Sequence, residues 1–300
     1  MKFPVNHTTL ASLVAASIVA TVGCNRPADL GKFANREASL KIRTALVGPG
    51  GEGAAAAEST STGWATLKGR LTYAGDPPTM PPYPVNKDNA TCAPGGKAPP
   101  QETLVVDSAS KGIANVALYV RKVSRVHESA EPKTDAIVFD QKVCVFLTHM
   151  TAATVGQTLD IRNSDDVGHN TSIIGQNATN QIIPSGGATP HPLKKEEAIP
   201  QPVRCSIHPW MIAHLLVRKN GYFAVTAPDG SFEIPNLPAG EDLEIQVWHE
   251  SASGPNRSLV VETPEAKELD WDDKGRINIK LEPDESREFE LAVPPDSFSG

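Results

Sequence analysis

The sequence predicts an all-β protein, an antiparallel β-sandwich with long loops and a flexible N-terminal tether. Short apolar runs recur between turns along its 300 residues, and 23 glycines and 26 prolines are scattered among these runs. Residues 65–73 alternate apolar and polar side chains, as a half-buried strand does. Helical segments do not alternate with the apolar runs, which favours a sandwich of antiparallel strands over an α/β fold.

The N-terminal residues resemble a bacterial export signal. Residues 10–22 form a nearly unbroken run of apolar and small side chains, too short to span a bilayer as a mature helix. Thr21-Val22-Gly23-Cys24 then resembles the lipobox of bacterial lipoproteins, in which cleavage precedes the cysteine and the cysteine is acylated. We therefore expect a signal peptide over 1–23 and a lipid-anchored protein that is periplasmic or on the cell surface. An ordinary cleaved signal with an incidental cysteine is the alternative.

The segment 24–63 is expected to be a lipidated N-terminus followed by a flexible linker, because its second half is rich in glycine, alanine, serine and threonine. The linker would let the folded body, residues 64–300, move away from the membrane surface. Predicted strands of the body lie at 65–73, 104–106, 113–120, 136–139, 143–147, 156–163, 213–217, 222–226, 232–234, 243–249, 258–261, 277–281 and 289–293. Residues 175–200 are polar and contain prolines, so we expect a loop there.

Charge and motifs argue against several classes of function. The formal net charge is −7 and no cluster of lysine or arginine offsets it, so we expect no nucleic-acid partner. The chain contains no Gly-x-Ser-x-Gly motif, no phosphate-binding loop and no His-Glu-x-x-His motif. We therefore expect a binding or carrier protein rather than an enzyme.

The most informative stretch is 205–211, where a thiolate, an imidazole and a thioether occur at Cys-x2-His-x2-Met spacing. Upstream, the turn after the predicted strand 156–163 delivers a further histidine. Two histidines, one cysteine and a weak axial methionine are the ligands of a blue-copper centre, because thiolate and thioether favour Cu(I) and imidazole suits copper generally. Our hypothesis is that one copper ion is bound by His169, Cys205, His208 and Met211.

Other interpretations of these residues stay open at this stage. A structural zinc site usually closes with a second cysteine or histidine, and methionine is a poor zinc ligand. Alternatively, Cys205 is a buried thiol and His208 a surface residue. Four further histidines of the body are not expected to be ligands, but to be structural, hydrogen-bonded or exposed: His149, His191, His214 and His249.

The ligand loop resembles that of the cupredoxins, the small blue-copper proteins, with the short spacing of the amicyanin type. The resemblance covers roughly residues 140–220 and implies a Greek-key sandwich with a mononuclear type 1 copper site that carries one electron between proteins of the cell envelope. It further implies that Asn170 donates a hydrogen bond to the Cys205 sulfur. His208, with Pro209 and Trp210 around it, would be the exposed edge through which electrons pass. Residues 221–250 separately resemble carboxypeptidase regulatory-like modules, which implies no catalysis.

The four cysteines can then be assigned. If Cys24 carries lipid and Cys205 holds metal, Cys92 and Cys144 remain. Exported proteins mature in an oxidising compartment, so we predict a Cys92–Cys144 disulfide. Two free thiols are the alternative.

Three functions are compatible with these patterns. The first is a copper protein that carries single electrons. The second is a copper-binding module for storage or delivery, without redox traffic. The third is an exported structural or carbohydrate-associated β-sandwich.

Overall fold

β-Strands supply most of the regular structure in residues 63–299, the part of the chain that the computed structural model describes. The signal peptide expected at 1–23, the lipid expected on Cys24 and the linker before residue 63 lie outside the described residues. No helix in the described part is long and apolar enough to cross a membrane. The predicted all-β sandwich architecture is confirmed.

The strands are β1 (Trp64–Tyr73), β2 (Ala117–Val120), β3 (Ala136–Lys142), β4 (Val145–Phe146), β5 (Met150–Thr154), β6 (Thr158–Asn163), β7 (His169–Ile173), β8 (Thr179–Ile183), β9 (Ala188–Pro192), β10 (Gln201–Arg204), β11 (Ile212–Arg218), β12 (Phe223–Val225), β13 (Ser231–Pro238), β14 (Asp242–Trp248), β15 (Arg276–Lys280) and β16 (Ser286–Val293). The α-helices are α1 (Asn89–Cys92) and α2 (Pro264–Glu268).

Strands from both ends of the described chain form one sandwich, which we call the flanking sandwich. One sheet has the strand order β13-β1-β16 and the other the order β12-β2-β14-β15. Their buried core includes Leu67, Leu118 and Ile245. Strands β1 and β2 therefore pack with the C-terminal strands, and the segment 221–250 supplies β12, β13 and β14 of this sandwich.

Residues 136–218 form a second sandwich, the inserted sandwich, between β2 and β12 in chain order. Its sheets have the orders β5-β11-β10-β7-β8 and β4-β3-β6-β9. Its core includes Phe139, Leu159, Cys205 and Met211. This sandwich corresponds to the stretch of about 140–220 whose sequence resembles cupredoxins.

The two sandwiches meet through a third buried cluster. Tyr119 of β2, Leu216 of β11 and Trp248 of β14 belong to it. The neighbours of Leu216 on β11, Leu215 and Val217, belong instead to the core of the inserted sandwich. Because side chains alternate along a strand, β11 has two buried faces, one towards each sandwich.

Not every strand pair is antiparallel. β1 pairs with β16, β3 with β6, and β5 with β11 in parallel. The sheets are therefore mixed, where the sequence predicted antiparallel pairing throughout. The periodicity of a strand reports which faces are buried, but it does not report the direction of the neighbouring strand.

The prediction of a loop over 175–200 is wrong, because the strands β8 and β9 lie within this segment. Each of these strands is at the edge of its sheet. Pro190 and Pro192 are compatible with β9, since a proline on an edge strand can face away from the hydrogen-bonding ladder. Conversely, the strand expected at 104–106 is only a single bridge between Val106 and Ile113.

Candidate metal centre

The ends of three neighbouring strands bring the proposed ligands together. His169 opens β7, Cys205 directly follows β10, and Met211 directly precedes β11. β10 pairs antiparallel with both β7 and β11, so these strand ends lie side by side. His208 lies in the turn between β10 and β11, where its carbonyl accepts a hydrogen bond from the Met211 amide at 2.9 Å.

Three donor atoms converge at this place. Ligand atoms of His169, Cys205 and His208 lie within 4.8 Å of one another, and all three residues are buried. Nδ1 of His169 is 2.9 Å from Nδ1 of His208, and the latter is 3.9 Å from the Cys205 Sγ. Nitrogen and sulfur ligands lie about 2.0 and 2.3 Å from a transition-metal ion, so atoms that share one ion are roughly 3–4 Å apart. The observed spacing fits a shared ion.

Two carboxylates orient the imidazole rings. Nε2 of His169 is 2.8 Å from Oδ2 of Asp165, and Nε2 of His208 is 2.8 Å from Oδ2 of Asp88. An ionised carboxylate can only accept hydrogen bonds, so each Nε2 carries a proton and each Nδ1 keeps its lone pair. The two lone pairs, with their nitrogens 2.9 Å apart, repel each other unless a cation lies between them. The arrangement therefore calls for a metal ion or a proton.

His169 favours the neutral form that binds metals. Burial lowers the pKa of His169, and this effect outweighs the opposing hydrogen bond to Asp165. A neutral imidazole has a free lone pair, which metal coordination requires.

The Cys205 sulfur accepts two backbone hydrogen bonds. The amides of Asn170 and His208 each donate to Sγ at 3.4 Å. Cys205 is 2% exposed and is the one cysteine of the described residues outside a disulfide. Backbone amides that donate to a cysteine sulfur orient it and tune a metal ion bound to it. The contact expected between Asn170 and this sulfur is thus made by the backbone amide.

The side chain of Asn170 holds the ligand loop against β7. Its Oδ1 accepts hydrogen bonds from the amides of Ser206, at 2.5 Å, and Ile207, at 3.3 Å. Its Nδ2 donates to Oδ1 of Asn180 on β8 at 2.7 Å. One amide side chain therefore connects three segments next to the donor atoms.

Met211 is fully buried in the same core as Cys205. Its carbonyl accepts a hydrogen bond from the Cys205 amide at 3.3 Å, which closes the backbone of the ligand loop. This fixes the position of the residue in the loop. Its role as axial ligand stays a prediction.

The predicted Cys92–Cys144 disulfide is confirmed, with a Cα–Cα distance of 5.0 Å. It ties the C-terminal end of α1 to the turn between β3 and β4. Asp88, which precedes α1, is thereby held close to His208. The indole Nε1 of Trp210 donates to the Cys144 carbonyl at 3.1 Å, so the ligand loop is also fastened to this bridge.

The prediction that His208 forms an exposed edge of the site is wrong. His208 is 0% exposed and Trp210 is 6% exposed, while Pro209 does reach solvent. Asp88 covers the His208 ring, although 120 positions separate these two residues in sequence. The sequence of the ligand loop alone could not predict that a segment so far away in the chain would bury His208.

Two aspartates that the sequence did not single out contact the candidate ligands. Asp165 had a usable signal, since it lies four residues before His169 in a polar turn. It also accepts hydrogen bonds from the amides of Val143, at 2.7 Å, and Cys144, at 2.8 Å, which anchors that turn to the disulfide. Asp88 had no comparable signal, because its connection to the site is purely tertiary.

Comparisons with known proteins cover only part of this chain. No family model matches it, and no curated protein does. A reduced Cu(I) form of an amicyanin mutant matches 34% of this chain and 98% of its own, with 19% identity and a TM-score of 0.26. Amicyanin from Paracoccus versutus matches 34% and 97%, with 16% identity and a TM-score of 0.26. A purple cupredoxin from Nitrosopumilus maritimus matches 27% and 97%, with 22% identity and a TM-score of 0.24. At these scores we base no functional argument on the likeness.

Proposed function

We propose that this protein is a mononuclear type 1 copper protein that carries one electron at a time. The observation that carries the proposal is the convergence of two imidazole Nδ1 atoms and one cysteine sulfur in a buried site. Copper, when bound, would supply a one-electron couple. Thiolate and imidazole donors suit it, and Met211, which is fully buried in the same core as Cys205, is the proposed fourth ligand.

The chain's own contribution is a rigid, dry frame. Ligands on strand ends keep their geometry better than ligands on free loops, and Asn170 clamps the ligand loop to two strands. Asp88 and Asp165 hold the two rings in the tautomer that directs Nδ1 at the centre. A site that changes little in shape between oxidation states exchanges electrons with little reorganisation.

The route of electrons, the partners and the location belong to the same proposal. Since His208 is buried, redox partner proteins would dock at the exposed neighbours Ser206 and Pro209. These partners would be proteins of the cell envelope, because residues 1–23 resemble an export signal. A lipid on Cys24 would hold the protein at the membrane. The protein would act as a carrier rather than as an enzyme.

The deciding experiment adds Cu(II) to the metal-free protein. We expect an intense absorption towards the red end of the visible spectrum, which comes from a copper–thiolate bond, and reversible cycling at a single potential. Cys205→Ser should abolish the band. His191→Gln, on edge strand β9, is the matched control and should keep it. A band that survives Cys205→Ser would disprove the assignment.

One observation favours a second function, copper storage or delivery without redox traffic. The burial of His208 beneath Asp88 removes the exposed ligand edge through which a partner would exchange electrons directly. Electrochemistry separates the two functions. A storage module would bind Cu(I) tightly and cycle slowly, whereas a carrier should cycle rapidly and keep its metal in both oxidation states.

A further inference from the structure

A second cluster of metal-binding side chains lies on the other face of the sheet that leads to Cys205. His214 lies on β11 between Ala213 and Leu215, which both belong to the core of the inserted sandwich. Alternation along the strand therefore turns His214 the opposite way, together with Leu216, towards the flanking sandwich. The cluster is thus separate from the proposed copper site.

His149 and Glu250 join His214 at this face. The His214 amide donates to the His149 carbonyl at 2.8 Å, in register with the parallel pairing of β5 and β11. Glu250 lies just after β14, in the flanking sandwich. One ligand atom from each of the three residues lies within 4.8 Å of the others. Both sandwiches therefore contribute ligands to one place.

These side chains are withdrawn from solvent. The side chains of His149 and Glu250 are 4% and 8% exposed, and that of His214 is 3% exposed. The Glu250 Oε1 contacts Nε2 of His149, and its Oε2 is 3.9 Å from Nδ1 of His214. A carboxylate buried this deeply is costly unless a positive charge accompanies it.

The polar surroundings leave one nitrogen without a hydrogen bond. Nδ1 of His149 is buried and unpartnered, with the nearest carboxylate oxygen, from Glu102, at 3.5 Å. On the far side, the Arg257 guanidinium is 3.5 Å from Nε2 of His214. The Glu102 carboxylate near Nδ1 and the Glu250 carboxylate at Nε2 place negative charge on both edges of the His149 ring, which favours a cation in this cluster.

We propose that His149, His214 and Glu250 bind a divalent transition-metal ion of the zinc class at the junction of the two sandwiches. Two imidazoles and one carboxylate are a ligand set that zinc uses, with a water molecule in the fourth position. The three residues include no thiolate or thioether, so the site favours Zn²⁺ over Cu(I). Because its ligands come from both sandwiches, the ion would join them.

The test measures Zn²⁺ binding by the full chain carrying Cys205→Ser, which removes the thiolate of the copper site. The same protein is compared with derivatives that also carry His214→Gln or Glu250→Gln, and with His191→Gln as the matched control. After dialysis against Zn²⁺, the derivatives with His214→Gln or Glu250→Gln should bind one Zn²⁺ ion fewer per chain than the Cys205→Ser parent. The derivative with His191→Gln should bind as many as the parent. Zn²⁺ should also raise the Tm of the parent protein, but not of the derivatives with His214→Gln or Glu250→Gln.

A measurement without any further substitution keeps the test valid if a derivative folds poorly. Co²⁺ added to the Cys205→Ser protein should produce visible bands typical of nitrogen and oxygen ligands, and Zn²⁺ should displace them. Lack of these bands, or equal Zn²⁺ uptake in parent, His214→Gln and Glu250→Gln, overturns the proposal. The copper band of protein with native Cys205 should persist in His214→Gln, so failure of either proposal is recognised independently of the other.

Discussion

Single residues that are distant from the ligand loop in sequence contact its candidate ligands. Asp88 is the clearest example, because its carboxylate is the hydrogen-bond partner of the His208 Nε2. Its backbone has a φ of 50°, in the left-handed region that asparagine also adopts readily. Asparagine can therefore replace it with little backbone strain, which isolates the effect of the charge.

We predict that Asp88→Asn weakens copper binding by about 10–100-fold. A neutral hydrogen-bond acceptor makes the His208 imidazole less basic, and therefore a weaker ligand for copper. Competition with a coloured copper chelator measures the affinity. Asp284→Asn is the matched control, since Asp284 also has a left-handed backbone, with φ 63°, and is exposed. Equal copper affinity of Asp88→Asn and the unsubstituted protein would contradict the role assigned to this carboxylate.

We predict that His249 makes the protein less stable in acid. Burial is the largest cause that lowers the pKa of His249 from 6.5 to about 3. Between pH 6.5 and about pH 3, His249 is protonated in the unfolded chain and neutral in the native state. This group's contribution to the free energy of unfolding therefore falls as the pH drops through that window, by about 1.4 kcal/mol per pH unit.

His249→Gln tests this in the presence of a metal chelator. Glutamine does not titrate, so the advantage of the unsubstituted protein should shrink as the pH falls from 6.5 towards 3. Urea unfolding at several pH values gives the two free energies. Parallel pH profiles for the two proteins would show that His249 is not the group responsible.

At the scale of elements, a short helix becomes part of the metal site through the disulfide. α1 has only four residues and would not be stable as an isolated helix. The Cys92–Cys144 bridge fastens it to the β3–β4 turn, and Asp165 fastens the same turn to the segment before β7. The cover over His208 and the strand that supplies His169 are thus held by one local framework.

We predict that replacing both bridge cysteines by serine lowers the free energy of unfolding by about 4 kcal/mol, the entropic value for a loop of this length. The bridge spans 52 positions in sequence. Urea unfolding measures the loss, and Cys205→Ser, which removes a thiol outside the bridge, is the control. A loss below about 1 kcal/mol would mean that the framework is held by its other contacts.

At the scale of the whole molecule, the inserted sandwich is built into the flanking one rather than attached by a linker. The chain leaves the flanking sandwich after β2 and returns to it at β12. Leu216 and Trp248, with Tyr119, form the buried contact between the two. We expect the two sandwiches to unfold together, because if one of them unfolded, the other would expose this apolar surface to water.

Leu216→Ala tests that coupling. Truncating a fully buried leucine should cost about 2–5 kcal/mol, and here the loss should weaken the link between the sandwiches. Tryptophan fluorescence and the copper band should give coincident unfolding curves in the unsubstituted protein and separated curves in Leu216→Ala. The control is Leu147→Ala, a leucine that is 56% exposed. Separated curves in the unsubstituted protein would disprove the coupling.

Much of the architecture follows from local sequence. Short apolar runs and alternation identified β1, β6 and β14, and the spacing of Cys205, His208 and Met211 identified the ligand loop. These features depend on neighbours within one strand or one turn, where side-chain direction follows the chain. The strands β8 and β9 were not predicted, because edge strands tolerate polar residues and prolines and their sequences therefore resemble loops.

The amino-acid order alone is sufficient for the all-β class, which rests on short periodic runs, and for the candidate copper ligands, which rest on residue type and the spacing of the ligand loop. It is also sufficient for the cysteine pair that forms the bridge, which rests on the cysteine count and the expected oxidising compartment. The tertiary structure decides what surrounds them. Asp88 lies 120 positions from His208, and Glu250 lies 101 positions from His149. Contacts across such distances depend on how the sheets pair and pack. The cover over His208 and the second histidine cluster could therefore be recognised only in the folded protein.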